Sequence, residues 1–86
     1  MALKFYGTMM CPDCVDAHKV LEDSNTPYEF VDITGSVPAL KEFTFLRDSN
    51  PVFDGAKAEG YLGIPAFVTD EDPSTATLDV QDVVQK

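Results

Sequence analysis

Cys11 and Cys14 are the only two cysteines in the chain, separated by Pro12 and Asp13. Two thiols at this spacing do not form the set of spread disulfides that staples a small secreted domain. They suit thiol–disulfide exchange. A thiolate attacks a disulfide sulfur, and a second thiol one helical turn away attacks the mixed disulfide that results. Zinc sites use the same spacing but usually need two further soft ligands. His18, the single histidine, is the one such residue near at hand. Three ligands on one helix with no fourth make a poor structural site, so no metal is expected.

Exchange needs one thiolate exposed and stabilised, and a helix N-terminus does this through its free N–H groups and dipole. The flanking pattern supplies that placement. Leu3-Lys4-Phe5-Tyr6 reads as a short strand ended by Gly7 and Thr8. From Pro12 to about Ser24 the period is helical, with Cys14, Ala17, Val20 and Leu21 on one face and Pro12 suited to the first helical position. Cys11 then stands at the helix start as the nucleophile, and Cys14 lies inward as the resolving thiol. Asp13 places a carboxylate beside the pair, which opposes the thiolate while favouring the helix dipole. His18 is read either as a base toward Cys14 or as a packed boundary residue. Met9 and Met10 form a soft apolar lip for a protein substrate, or one of them fills the core beneath the loop.

Downstream, Asn25-Thr26-Pro27 ends the helix and Tyr28–Asp32 reads as a second strand. Ser36 caps a second helix in which Val37, Leu40, Phe43 and Leu46 recur at helical spacing. Pro51 restarts a helical segment through Glu59, stopped by Gly60 and Gly63. Ala66–Thr69 is a third strand, Thr75–Leu78 a short fourth, and Asp79 caps a last helix through Val80, Val83 and Val84. This order predicts an α/β layer fold with a right-handed crossover between the first two strands. The 86 residues are expected to form one small domain, 1–86.

Fifteen acids against six bases give a net charge of −9, which excludes the basic face that nucleic acid requires and disfavours anionic membranes and small anionic substrates. No apolar run approaches the roughly 18 residues of a membrane helix. The start Met1–Tyr6 lacks the apolar stretch of a signal peptide, so a cytoplasmic protein is expected.

The first strand, Cys11-Pro12-Asp13-Cys14 at a helix start, the second strand and Gly63-Ile64-Pro65-Ala66-Phe67-Val68 together resemble a glutaredoxin. The stretch from Phe45-Leu46-Arg47-Asp48 to Gly63-Ile64-Pro65 is similar to small bacterial glutaredoxin-related proteins. The resemblance implies a thioredoxin-like fold of glutaredoxin size, with a central three- to four-stranded mixed sheet flanked by helices. It also implies a cis peptide bond at Ile64-Pro65 beside the cysteines. The N–H and C=O of Ile64 would then face outward and pair with a substrate backbone as an added strand.

The sequence departs from that family where glutathione is held. Thr8-Met9-Met10 supplies no lysine before the first cysteine, and Asp13 replaces an aromatic residue. Residues 70–79 carry no Gly-Gly turn, with Thr77 or Asp79 as partial substitutes. The tryptophan motif of the glutaredoxin-like proteins that serve ribonucleotide reductase is also missing, since the chain has no Trp. The expectation is a monomeric dithiol oxidoreductase that reduces protein disulfides. Cys11 and Cys14 are catalytic, and Met10, Pro12, Asp13, Ile64 and Pro65 contact substrate. No cofactor is bound, and glutathione or thioredoxin reductase is the electron donor. The alternatives are a glutathione-dependent glutaredoxin and, in a different class, an iron–sulfur or metal carrier. Phe45 and Tyr61 are further aromatics available to a partner.

Overall fold

A computed structural model describes residues 3–84. Strand β1 (Leu3–Gly7) leads to helix α1 (Pro12–Asp23), strand β2 (Glu29–Asp32) and helix α2 (Val37–Ser49). A single 3-10 turn at Pro51–Phe53 joins α2 to the short helix α3 (Asp54–Glu59), and strand β3 (Ala66–Thr69) follows. Two further 3-10 turns, Pro73–Thr75 and Val80–Asp82, complete the described chain. The sheet is mixed and three-stranded, in the order β2-β1-β3. The central β1 runs parallel to β2, with Lys4 beside Glu29 and Gly7 beside Asp32. It runs antiparallel to β3, with Leu3 opposite Thr69 and Tyr6 opposite Ala66.

Alternation along the strands sorts the core onto two faces. Leu3, Phe5 and Phe67 pack with Cys14, Ala17 and Leu21 of α1. Tyr6, Ala66 and Val68 pack on the other side with Ile33, Phe43 and Phe53. Cys14, Ala17 and Leu21 recur at intervals of three and four, so one stripe of α1 seats on the sheet. Val20 is only half-buried at the edge of that stripe. Lys4 lies outside the apolar pattern, with its ammonium 3.0 Å from Glu42 and 3.2 Å from Glu71. The Tyr6 hydroxyl donates to the same Glu42 carboxylate at 2.6 Å.

Ser36 caps α2 as expected, its hydroxyl accepting from the Ala39 N–H. The inner face of α2 is narrower than its spacing suggests. Phe43 is buried, but Val37 and Leu40 are exposed.

Two expected elements are corrected. Residues 75–78 form no strand. Thr77 alone bridges Phe67, through N–H···O bonds of 2.9 and 3.0 Å. The reason lies one step earlier, where the Thr75 hydroxyl accepts from the Thr69 N–H at 2.8 Å and donates to Asp72 O at 2.7 Å. A side chain thus takes a bond that a fourth strand would supply from its backbone. The last helix is likewise only the 3-10 turn Val80–Asp82. Asp79 does cap it, accepting from the Gln81 N–H at 2.9 Å. The Asp82 carboxylate is drawn back to the Thr77 hydroxyl at 2.6 Å, and β-branched Val80, Val83 and Val84 propagate a helix weakly.

Candidate functional site

The turn between β1 and α1 is organised by Thr8, which is buried although polar. Its carbonyl accepts from the Cys11 N–H at 3.1 Å, and its hydroxyl accepts from the Met10 N–H at 3.2 Å. That hydroxyl lies 3.1 Å from the Thr34 hydroxyl, which donates to the Asp32 carboxylate at 2.6 Å. The Thr34 hydroxyl and N–H together hold the Asp32 carboxyl below the usual carboxylate range. The donors order themselves from Thr8 to Thr34 to Asp32, so the turn is tied to the end of β2.

Cys11 is the N-cap of α1, in extended backbone conformation, and Pro12 occupies the first turn. The Cys11 side chain makes no capping bond, which leaves its sulfur at the helix terminus, half-exposed. Cys14 lies beneath it with no accessible surface. Cys11 packs against the core cluster that holds Cys14. Burial pushes the Cys14 thiol up to about 12, against a lowering backbone hydrogen bond from Thr8, and contact with Cys11 and the Asp13 charge add to the rise. Gly7 makes room for this sulfur, since a Cβ there would stand 2.8 Å from Cys14 Sγ.

Cys11 opens onto a groove of about 560 Å3. Thr8, Met10 and Asp13 line it on the α1 side, while Ala56, Leu78 and residues 61–64 form the opposite wall. That wall is built by three devices. Gly60 ends α3 in the left-handed region (φ 82°), with the Tyr61 N–H donating to Ala56 O at 2.8 Å in a Schellman-type closure. Gly63 adopts φ 95°, and a Cβ there would lie 2.6 Å from the Phe53 ring. Arg47 of α2 donates from Nε to Leu62 O at 2.8 Å and from its terminal nitrogen to Tyr61 O at 3.2 Å. Beyond the wall the Ile64–Pro65 peptide bond is cis. Among the described residues, no backbone hydrogen bond engages Ile64.

Met10, Cys11, Asp13 and Ile64 therefore meet at one groove, with Cys14 directly behind Cys11. Pro12 starts the helix facing solvent, and Pro65 is half-buried behind the wall. Met9 and Met10 are both exposed, so neither fills the core, and Met10 lines the groove. Tyr61 stands on the groove wall, whereas exposed Phe45 faces away on α2. His18 is held by Tyr28 and two phenyl rings. Its Nδ1 lies 2.6 Å from the Tyr28 hydroxyl, which donates to Glu22 at 3.0 Å, and it packs against Phe5 and Phe30. Thr77 and Asp79 spend their side chains on the turn after β3.

Sequence reasoning missed Gly7, Arg47, Leu62 and Leu78. A glycine closing a strand just before a Cys pair is a readable signal for close approach. The reach of Arg47 across 14 and 15 residues to two carbonyls left no local signal.

Comparison with known proteins places this small α/β chain, with its cysteine pair at a helix N-terminus, beside one bacterial relative. A protein of Haemophilus influenzae described as an uncharacterized protein is 47% identical over 58 residues, which cover 67% of each chain. The chain belongs to the family of that protein. No family model matches the chain, and no solved structure matches it. Among the described residues, no helix is long and apolar enough to cross a membrane.

Proposed function

We propose that the protein is a dithiol thiol–disulfide oxidoreductase of thioredoxin-like fold and glutaredoxin size that reduces disulfides in polypeptides. The observation that carries this reading is the pair itself, with Cys11 at a helix N-terminus in an open groove and packed against the core cluster in which Cys14 is buried. The parallel β1–α1–β2 crossover followed by an antiparallel β3 supports the fold assignment.

In the reaction the Cys11 thiolate attacks one sulfur of the substrate. The substrate S–S bond breaks, and the departing sulfur takes a proton from solvent. Cys14 then gives up its proton and attacks the Cys11 sulfur. The Cys11–Cys14 disulfide forms as the second substrate thiol leaves. Two electrons and two protons pass to the substrate. An outside donor, glutathione or thioredoxin reductase, returns the pair to dithiol.

Burial keeps Cys14 protonated at rest. Once Cys11 is in the mixed disulfide, its contact and charge no longer add to the rise that burial imposes on the Cys14 thiol. The Ile64 backbone, which makes no hydrogen bond among the described residues and lies on the groove wall, supports pairing with a substrate strand.

The test is reduction of a protein disulfide with three electron sources in parallel: glutathione with its reductase, thioredoxin reductase, and dithiothreitol. The expected result is acceleration by the wild type with at least one source and none by Cys11→Ser. A wild type no faster than Cys11→Ser with all three would overturn the reading.

A further inference from the structure

We infer that the groove selects polypeptide disulfides whose reactive cysteine is flanked by an apolar side chain and a cation, and that Asp13 sets this preference. The inference rests on the proposed role of Cys11 and names the substrate class of that site.

Two properties of the groove carry it. First, its surface is apolar and uncovered: Met10 is 77% exposed, Tyr61 68% and Leu62 55%, all lining the same space as Cys11. Exposed apolar side chains gathered at one reactive sulfur suit an apolar neighbour on the incoming chain.

Second, Asp13 is the one acidic or basic residue among the described residues lining that space. It is close enough to the sulfur pair to act on Cys14, and the whole molecule carries −9. A cation beside the substrate cysteine would meet a single carboxylate, and no lysine or arginine lines the walls among the described residues. An anion there would meet repulsion from both the local charge and the global field.

The redox step is balanced without a further reductant. One molecule of reduced protein converts one peptide disulfide to two peptide thiols and becomes the Cys11–Cys14 disulfide.

The experiment uses single turnover of fully reduced full-length protein with four symmetrical peptide disulfides. Three carry leucine on one side of the cysteine and lysine, glutamine or glutamate on the other; the fourth pairs lysine with serine in place of leucine. Each rate is divided by the rate of that peptide with dithiothreitol, which removes intrinsic thiol reactivity. For an exposed charge pair the expected spread from lysine to glutamate is about tenfold at low salt, shrinking severalfold at high salt. The serine peptide is expected to react about threefold slower than its leucine counterpart. In Asp13→Asn the lysine-to-glutamate ratio should fall toward one.

Equal rates for the lysine, glutamine and glutamate peptides, an unchanged ratio in Asp13→Asn, or no difference between leucine and serine would each overturn the inference while leaving the redox reading intact. If no peptide reacts faster with wild type than with Cys11→Ser, the redox reading itself fails.

Discussion

The two sulfurs differ by position alone, and that difference has measurable consequences. Iodoacetamide should modify Cys11 in the folded, reduced protein at neutral pH. Cys14, with no accessible surface and its thiol pushed up to about 12, should react only after denaturation. Mass spectrometry of the alkylated protein, with and without urea, checks this; double modification under native conditions would contradict it. The raised Cys14 thiol also links to stability. A thiol unfolds to an ordinary value of ~8.5. Its contribution is therefore complete below that pH and is lost as pH climbs toward about 12. Between pH 7 and 9.5 the urea midpoint of the reduced wild type should fall more than that of Cys14→Ser. Equal falls would show that Cys14 ionises freely in the native state. The placement of Cys11 at the helix start and of Cys14 on its inner face was legible from type and spacing. The neighbours that shape them were not, because Thr8 acts through bonds to Thr34 and Asp32, far away in sequence.

At the scale of elements, the site is the meeting of the N-terminus of α1 with the wall between α3 and β3. Gly7→Ala would drive a Cβ to 2.8 Å from Cys14 Sγ. An overpacked core of this kind costs about 1–3 kcal/mol. A denaturation curve should show that loss along with altered Cys11 alkylation, since the displaced atom is the partner sulfur. Arg47→Gln should release the Tyr61–Leu62 carbonyls. It should raise KM for a peptide disulfide about threefold or more, the equivalent of roughly one hydrogen bond, with Cys11 alkylation unchanged. A parallel fall in alkylation would mean that Arg47 acts on the fold rather than on the wall. The main helices and the three strands were legible in hydrophobic period and in the prolines and glycines that bound them. The fourth strand and last helix were not. Thr75, Thr77 and Asp82 use side-chain oxygens where regular elements would use backbone, and no hydrophobic period reports that choice.

The whole molecule is a small two-sided core under a strongly acidic surface. A net charge of −9 on 86 residues repels itself at neutral pH. Raising salt from ~0.05 to ~0.5 M shortens the screening length to a few ångströms and should raise the melting temperature by a few degrees. A fall would show that ion pairs such as Lys4 with Glu42 and Glu71 outweigh the repulsion. The net charge was readable from composition. How the surface is divided was not, because composition does not reveal that, among the described residues, Asp13 is the one acid that faces the groove.

The central claim is that Cys11 attacks and Cys14 resolves, and trapping tests it most directly. Cys14→Ser and Cys11→Ser are each mixed with a peptide disulfide and analysed by intact mass. The expected result is a stable peptide adduct on Cys11 in Cys14→Ser, none on Cys14 in Cys11→Ser, and only a transient adduct in the wild type. No adduct on Cys11, or an adduct as abundant on Cys14, would contradict it.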